Sequence, residues 1–165
     1  MNYQIREATK EDISFLWDML FESLYAPEGQ EPFTRDILND PYLAKYVEGW
    51  GRTGDIGYLA IDEAGNPMGS ITARLFDSSN KGFGYVADDV PELGMAILPS
   101  YRGKGLGNAL IRQLMNGLKE RGFRKVSLSV DPGNTAAVKL YEKFGFAEVG
   151  VVGTSITMVA DVEQS

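Results

Sequence analysis

The sequence predicts an α/β fold in one domain spanning residues 1–165. Three observations lead there. Short apolar, β-branched runs interleave with segments whose apolar residues recur every three or four positions, so strands and helices are mixed rather than segregated. The runs 56–62 and 68–76 are joined by Glu63-Ala64-Gly65-Asn66, a hairpin signal that makes the first half rich in antiparallel pairing. A length of 165 residues suits one hydrophobic core, and no internal repeat or linker-like boundary divides it.

The elements follow in order. Residues 3–8 read as an opening strand. Thr9 has the character of an N-cap, with Asp12 three residues on as its capping-box partner. Ile13, Leu16, Trp17, Leu20 and Leu24 then supply the apolar stripe of a helix. Residues 25–55 are the least regular stretch, with short helical pieces near 34–39 and 41–48 and a glycine-rich exit at 49–54. So long and aromatic-rich a connection is more often functional than decorative. After the hairpin comes a loop at 81–89, then a strand over 93–98 stopped by Pro99. Leu106, Leu110, Leu114 and Leu118, with Ile111 and Met115, form one face of a helix ending at Gly122. Residues 126–130 alternate as a strand. Asn134 caps a helix striped by Ala137, Leu140, Tyr141 and Phe144 and closed by Gly145. The runs 146–152 and 154–160 are the last two strands.

Composition narrows the chemistry. With 44% hydrophobic and 24% charged residues, the chain has the make-up of a soluble globular protein. No apolar run approaches the roughly 20 residues that cross a bilayer. The acidic opening residues lack the apolar core of a signal peptide, so a cytoplasmic setting without membrane partners is expected. There is no Cys and no His. That excludes disulfides, thiol nucleophiles, thiolate or imidazole metal sites and a Ser-His-Asp triad. No metal is expected, and acid–base work falls to Asp, Glu, Tyr, Lys or water. The net charge of −7 is unevenly spread: residues 99–125 hold seven cations and one carboxylate, leaving a balance of −13 elsewhere. Such a chain repels nucleic acid, and its basic block suits one small anionic ligand bound locally.

That block opens on Arg102, Gly103, Lys104, Gly105, Leu106, Gly107 and Asn108, between a strand and a helix. It is not a Walker A loop, because Lys104 is followed by Gly105 and lacks the upstream glycine. The dinucleotide fingerprint G-x-G-x-x-G would use Gly103 and Gly105, but its third glycine falls on Asn108. What remains is a helix start, where free amides and the positive dipole end attract an anion. The three glycines remove Cβ atoms that would hold a pyrophosphate away. Arg102 and Lys104 add charge. A glycine-rich turn with solvated cations is the alternative reading.

The loop resembles motif A of the GCN5-related N-acetyltransferases, Arg/Gln-x-x-Gly-x-Gly/Ala, with Arg102, Gly105 and Gly107 in its fixed places. The stretch NTAAVKLYEKFGF is similar to that family's second signature, with Asn134, Ala137, Tyr141, Gly145 and Phe146 in register. With the opening IREAT and the strand order, the resemblance covers essentially the whole chain. It implies a GNAT-type fold: a central twisted, mixed, mostly antiparallel sheet flanked by helices, whose fourth and fifth strands (93–98 and 126–130) splay apart. It implies acetyl-CoA as co-substrate, with its pantetheine arm paired to strand backbone near Met95, Ala96 and Ile97. The pyrophosphate would lie on the amides from Arg102 to Asn108, and Asn134 would touch the cofactor as well as cap its helix. The implied activity is transfer of the acetyl group to a primary amine of a small molecule or peptide, by direct attack in a ternary complex. A non-catalytic acyl-CoA-binding sensor is the alternative, and a homodimer is compatible with either.

Such a transfer needs a neutral amine, a polarised thioester carbonyl and a proton for the leaving thiolate. The resemblance implies the backbone N–H near Ile97 for the carbonyl. It implies Tyr141 as general acid, although that residue also lies on an apolar stripe. Similar proteins that modify protein amino termini carry Glu on the fifth strand, five residues before the Asn; Ser129 stands here. The base is therefore expected to be Glu92, acting through water with Asp88 and Asp89 behind it. A bulge in this strand, usual in the family, would change the face Glu92 presents. The acceptor pocket is expected to use Tyr25, Trp50, Arg52 and Asp89, with Trp50 as core in the alternative. The acidic balance favours a cationic amine, whereas Arg52 would favour an acceptor bearing a carboxylate.

Overall fold

The computed structural model describes residues 2–26 and 28–163. In chain order it places β1 (Tyr3–Glu7), α1 (Ile13–Glu22), α2 (Pro41–Ala44), β2 (Ile56–Asp62), β3 (Pro67–Arg74) and β4 (Glu92–Ile97). Then follow α3 (Leu106–Glu120), β5 (Lys125–Val130), α4 (Thr135–Lys143), β6 (Ala147–Val152) and β7 (Ser155–Asp161). Short 3₁₀ turns precede α1, α2 and the glycine loop. The strands form a seven-stranded sheet in the order β1-β2-β3-β4-β5-β7-β6. Every neighbouring pair is antiparallel except β4 and β5. The mixed, mostly antiparallel sheet with flanking helices is as expected.

Local chemistry sets the element ends. The capping box forms: Thr9 N–H donates to Asp12 at 2.8 Å while Thr9 Oγ1 accepts from the turn behind it. Arg6 adds a bidentate pair to Asp12 at 2.8 and 2.9 Å. The first helix stops at Glu22 rather than Leu24, because the Ser23 hydroxyl turns back onto the Leu20 carbonyl at 2.6 Å. The 41–48 piece is one helical turn started by Asp40 and Pro41, which then winds on as turns to Trp50. Gly122 and Gly145 end α3 and α4 with φ of +80° and +90°, the left-handed conformation that favours glycine.

The core lies on both faces of the sheet. Leu110, Ile111, Leu114 and Leu118 of α3 are fully buried against Ile71, Leu93, Val126 and Leu128. On the opposite face Leu16 of α1 packs with Val47, Trp50 and Leu59. Side chains alternate along a strand, so Leu93, Met95 and Ile97 face α3 while Glu92, Gly94 and Ala96 face α1. The β3–β4 register runs unbroken from Gly69↔Ile97 to Arg74↔Glu92, so the bulge usual in the family is not present in β4.

The sheet opens in one place. Strands β4 and β5 pair only at Glu92↔Ser127, whereas β5 pairs with β7 along its whole length. The Leu98 amide donates to Met68 of β3 at 2.9 Å. Backbone direction alternates in an antiparallel pair, so Ala96 also faces β3 while Met95 and Ile97 turn their backbone groups into the opening.

Candidate functional site

A cleft of about 840 Å³ occupies this opening and continues past α1 and α2. Glu92, Met95, Ala96, Ile97, Arg102, Asn134, Tyr141 and Tyr25 all line it. Residues distant in sequence thus meet around the gap between two strands.

The glycine loop stands at one end. Gly103 and Gly105 hold φ of +75° and +84°, and a Cβ on either would meet open space. Their need for glycine is conformational. Gly107 differs from expectation: it is buried, and a Cβ there would lie 2.9 Å from Leu140, so it lets α3 approach α4 instead of making room for a ligand. Among the described residues, the successive amides from Gly103 to Asn108 donate no hydrogen bond. Together with the α3 dipole and the exposed Lys104, they fit the demands of a diphosphate. Leu106 is 1% exposed and offers only its amide. The Arg102 guanidinium is already engaged, donating to the Ile97 carbonyl at 2.8 Å and pairing with Glu22 of α1 at 3.4 Å. Asn108 Oδ1 accepts from Lys143 at 2.8 Å. Ala96 lines the cleft, but by the backbone alternation its amide and carbonyl belong to β3, so on β4 it is Met95 and Ile97 whose backbone faces a pantetheine-like arm.

Asn134 both caps α4, accepting from the Ala137 amide at 3.4 Å, and lines the cleft. Tyr141 packs edge-on to Phe146 with ring centroids 5.6 Å apart, yet its hydroxyl has no hydrogen-bond partner among the described residues. Burial pushes its phenol up to about 12, so it keeps its proton at neutral pH.

Glu92 sits at the other side of the gap and is 4% exposed. Its Oε2 accepts from the Tyr46 hydroxyl at 2.5 Å, and its Oε1 from the Gly84 amide at 3.1 Å. The Phe83 amide in turn donates to the Tyr46 oxygen at 2.8 Å. The loop can come this close because it is glycine there. A Cβ on Gly82 would lie 2.2 Å from Glu92 Oε1, and one on Gly84 would lie 2.6 Å from the Leu128 carbonyl carbon. Burial lifts the Glu92 carboxyl to about 7, against the opposing pull of the Tyr46 hydroxyl and the Gly84 amide. A carboxyl titrating there can take a proton and release it near neutrality.

Three expected acceptor residues lie elsewhere. Trp50 is buried with Leu16 and Leu59, its ring under the Arg74 guanidinium at 5.3 Å, which is the core alternative. Arg52 donates to the Leu75 carbonyl at 3.1 Å and borders a separate cavity of about 200 Å³ with Lys10 and Arg121. Asp88 and Asp89 are exposed because the chain turns out at Ala87 before Val90 buries, so Asp89 does not reach the cleft and neither stands behind Glu92. Tyr25 is in place, its hydroxyl donating to the Gly133 carbonyl at 3.2 Å. Ser129 also lines the cleft.

Sequence reasoning missed Tyr46 and the Gly82–Gly84 cradle. The spacing around Tyr46 is that of any apolar turn, and its partner lies 46 residues on. The Gly-Phe-Gly triplet shortly before Glu92 was the available signal. Ser70 and Thr72 of β3 complete the floor beside β4.

Comparison with known proteins bears on the family and the fold. The sequence profile of the Acetyltransferase (GNAT) family matches residues 13–146. A Bacillus subtilis protein provisionally named ribosomal protein bS18-alanine N-acetyltransferase is 29% identical over 147 residues, covering 89% of this chain and 82% of that protein. The Sinorhizobium meliloti phosphinothricin acetyltransferase, solved with AcCoA, superposes with a TM-score of 0.70 at 20% identity, covering 98% of this chain and 89% of that one. The Escherichia coli ribosomal-protein-S18-alanine N-acetyltransferase gives 0.67 at 19% identity, with 99% and 96% covered. At these identities the two structures establish the fold alone.

Proposed function

The chain belongs to the acetyltransferase (GNAT) family, and on that footing we propose that it moves the acetyl group of acetyl-CoA to a primary amine of a small molecule or peptide by direct transfer in a ternary complex. The observation that carries this reading is the placement of a buried carboxyl and a free buried phenol, Glu92 and Tyr141, on one cleft at the strand split. The names of the relatives favour a peptide amine as acceptor.

Bound acetyl-CoA supplies the activated acyl group. The chain supplies the rest. The amides from Gly103 to Asn108, with Lys104 beside them, hold the diphosphate, and the backbone of Met95 and Ile97 orients the arm as an added strand would. The Ile97 N–H points into the opening, where it can polarise a carbonyl. Glu92, ionised above about pH 7, accepts a proton from the incoming ammonium directly or through one water. The Tyr141 hydroxyl gives its proton to the departing thiolate. With no Cys and no His in the chain, a thiol or imidazole acyl carrier is excluded, which favours direct transfer.

The test is a screen of amines and short peptides with acetyl-CoA, following CoA release. Turnover with at least one primary amine is the expected outcome. Tight acetyl-CoA binding without turnover across the panel would instead identify a sensor.

A further inference from the structure

The acceptor half of the cleft differs in charge from the half that meets the glycine loop. Toward α1, β4 presents Glu92, then Gly94 with no side chain, then Ala96, leaving a floor open beside the carboxyl. The Thr72 hydroxyl of β3 reaches the Gly94 carbonyl at 3.4 Å, and Ser70 lies next to it. The walls are apolar: Leu20, Phe33, Leu43, Val47 and Phe83. Among the described residues that line the cleft, the carboxylates are Glu22, Glu92 and Asp131, and the cation is Arg102, held by Ile97 and Glu22 at the far end. Nearby cations are engaged outside it. Lys45 donates to the Lys81 carbonyl at 2.5 Å, Arg74 is buried on Asp55, and Arg52 faces another cavity.

We infer that the acceptor is an amine on an apolar carrier with no carboxylate beside the nitrogen, as in the first residue of a peptide, and that free amino acids are excluded. The inference rests on the acetyltransferase reading. An amino acid offering its amine to Glu92 brings its own carboxylate within a few ångströms of that acid, between apolar walls and with no cation lining that end of the cleft. Lys45, whose charge Glu92 feels, stands outside the lining and is held by the Lys81 carbonyl. A buried charge without a partner is strongly disfavoured, so rejection comes from a missing counter-ion. An amide at the same place is neutral, and the Ser70 and Thr72 hydroxyls can bond its N–H and C=O. An apolar first side chain fills the Leu43, Phe33 and Phe83 walls.

Paired substrates test this at saturating acetyl-CoA: leucine against leucine amide and leucyl-glycine, phenylalanine against its amide, and hexylamine as an amine without a carbonyl. The amides and the dipeptide are expected to exceed the free amino acids in kcat/KM by about 100-fold or more. Hexylamine matching the amides would assign the selectivity to the carboxylate alone; hexylamine below them would add recognition of the peptide carbonyl. Both support the inference. Free amino acids reacting as well as their amides would overturn it while leaving the acetyltransferase reading intact, as would turnover confined to polyamines or aminoglycosides. No turnover with any amine would overturn both. A second variant reads the same cause from the other side: Leu43→Arg should narrow the amide-to-acid ratio at least about tenfold with acetyl-CoA affinity retained. A folded variant whose ratio is unmoved would show that the missing cation is not the source of selectivity.

Discussion

Glu92 and Tyr141, which line one cleft, were both singled out in the sequence, for different reasons. Glu92 was the expected base because a chain without His leaves few candidates and Ser129 stands where similar proteins carry Glu, which leaves the carboxylate at the start of β4, the strand expected to hold the cofactor arm. Tyr141 came through a motif, because its place on an apolar stripe looks the same for a packing residue. With Glu92 as base, kcat/KM should rise as pH passes through about 7 and level off above it. Glu92→Gln should lower kcat roughly 10²–10⁴-fold and abolish that limb in a pH–rate profile. The Tyr46 hydroxyl bonds the ionised carboxylate and so opposes the upward push of burial. In Tyr46→Phe the limb should therefore move to higher pH, whereas a merely structural loss would lower the rate without moving it. Since the folded carboxyl sits above its ordinary 4.5, the fold holds a proton that the unfolded chain has lost between 4.5 and about 7. The contribution of this group to thermal stability should fall with rising pH across that window. Tyr141→Phe keeps the contact with Phe146 and removes only the unpartnered hydroxyl. A kcat fall of roughly 10²–10⁴ at unchanged acetyl-CoA affinity is expected in steady-state and binding measurements.

At the scale of elements, the helices and strands were readable because periodicity is local, and α3 and β5 differ from expectation by one or two residues. What was not readable was how one turn is fastened to another. Arg74 stands opposite Glu92 in the register and is fully buried. It makes a bidentate pair with Asp55 at 3.0 and 2.9 Å and donates to the carbonyls of Lys45 and Glu48 at 2.8 and 2.7 Å. Those carbonyls flank Tyr46, so one guanidinium pins the turn that carries the phenol to Glu92. No spacing rule links positions 46, 55, 74 and 92, since the sheet alone brings them together. Asp55→Ala leaves Arg74 buried and unpaired and should cost about 3–5 kcal/mol in denaturant unfolding. The 81–89 loop is held as tightly. Gly84→Ala puts a methyl against the β5 backbone, so the loop must lift and its amide must leave Glu92. A loss of about 1–3 kcal/mol is expected, with a larger proportional loss of kcat than of acetyl-CoA affinity. Trp50 and Arg52 show the converse limit. Their composition suits a pocket, but the chain turns them toward α1 and the Thr9 corner.

Across the whole molecule, the −13 balance outside the basic block says nothing about where charge lies, and the exposed position of Asp88 and Asp89 separates surface acidity from the cleft. The placement of the basic block was more informative, because a helix start fixes its geometry in sequence. The strand split itself entered only through family resemblance, since missing hydrogen bonds leave no trace in residue order. That split also has a mechanical meaning. A seven-stranded sheet joined across its middle by one rung, at Glu92 and Ser127, behaves as two stiff plates on a hinge. A ligand arm paired to Met95 and Ile97 and wedged beside Val130 and Asn134 becomes a strut between the plates. Amide exchange should then slow in β5 and β7 as well as in β4 when acetyl-CoA is added, even though β7 has no place on the cleft beyond Ser155. Protection confined to β4 and the glycine loop would show that the plates are already locked. If the strut holds, the open seam is a source of compliance, and the co-substrate turns a hinged sheet into a continuous one.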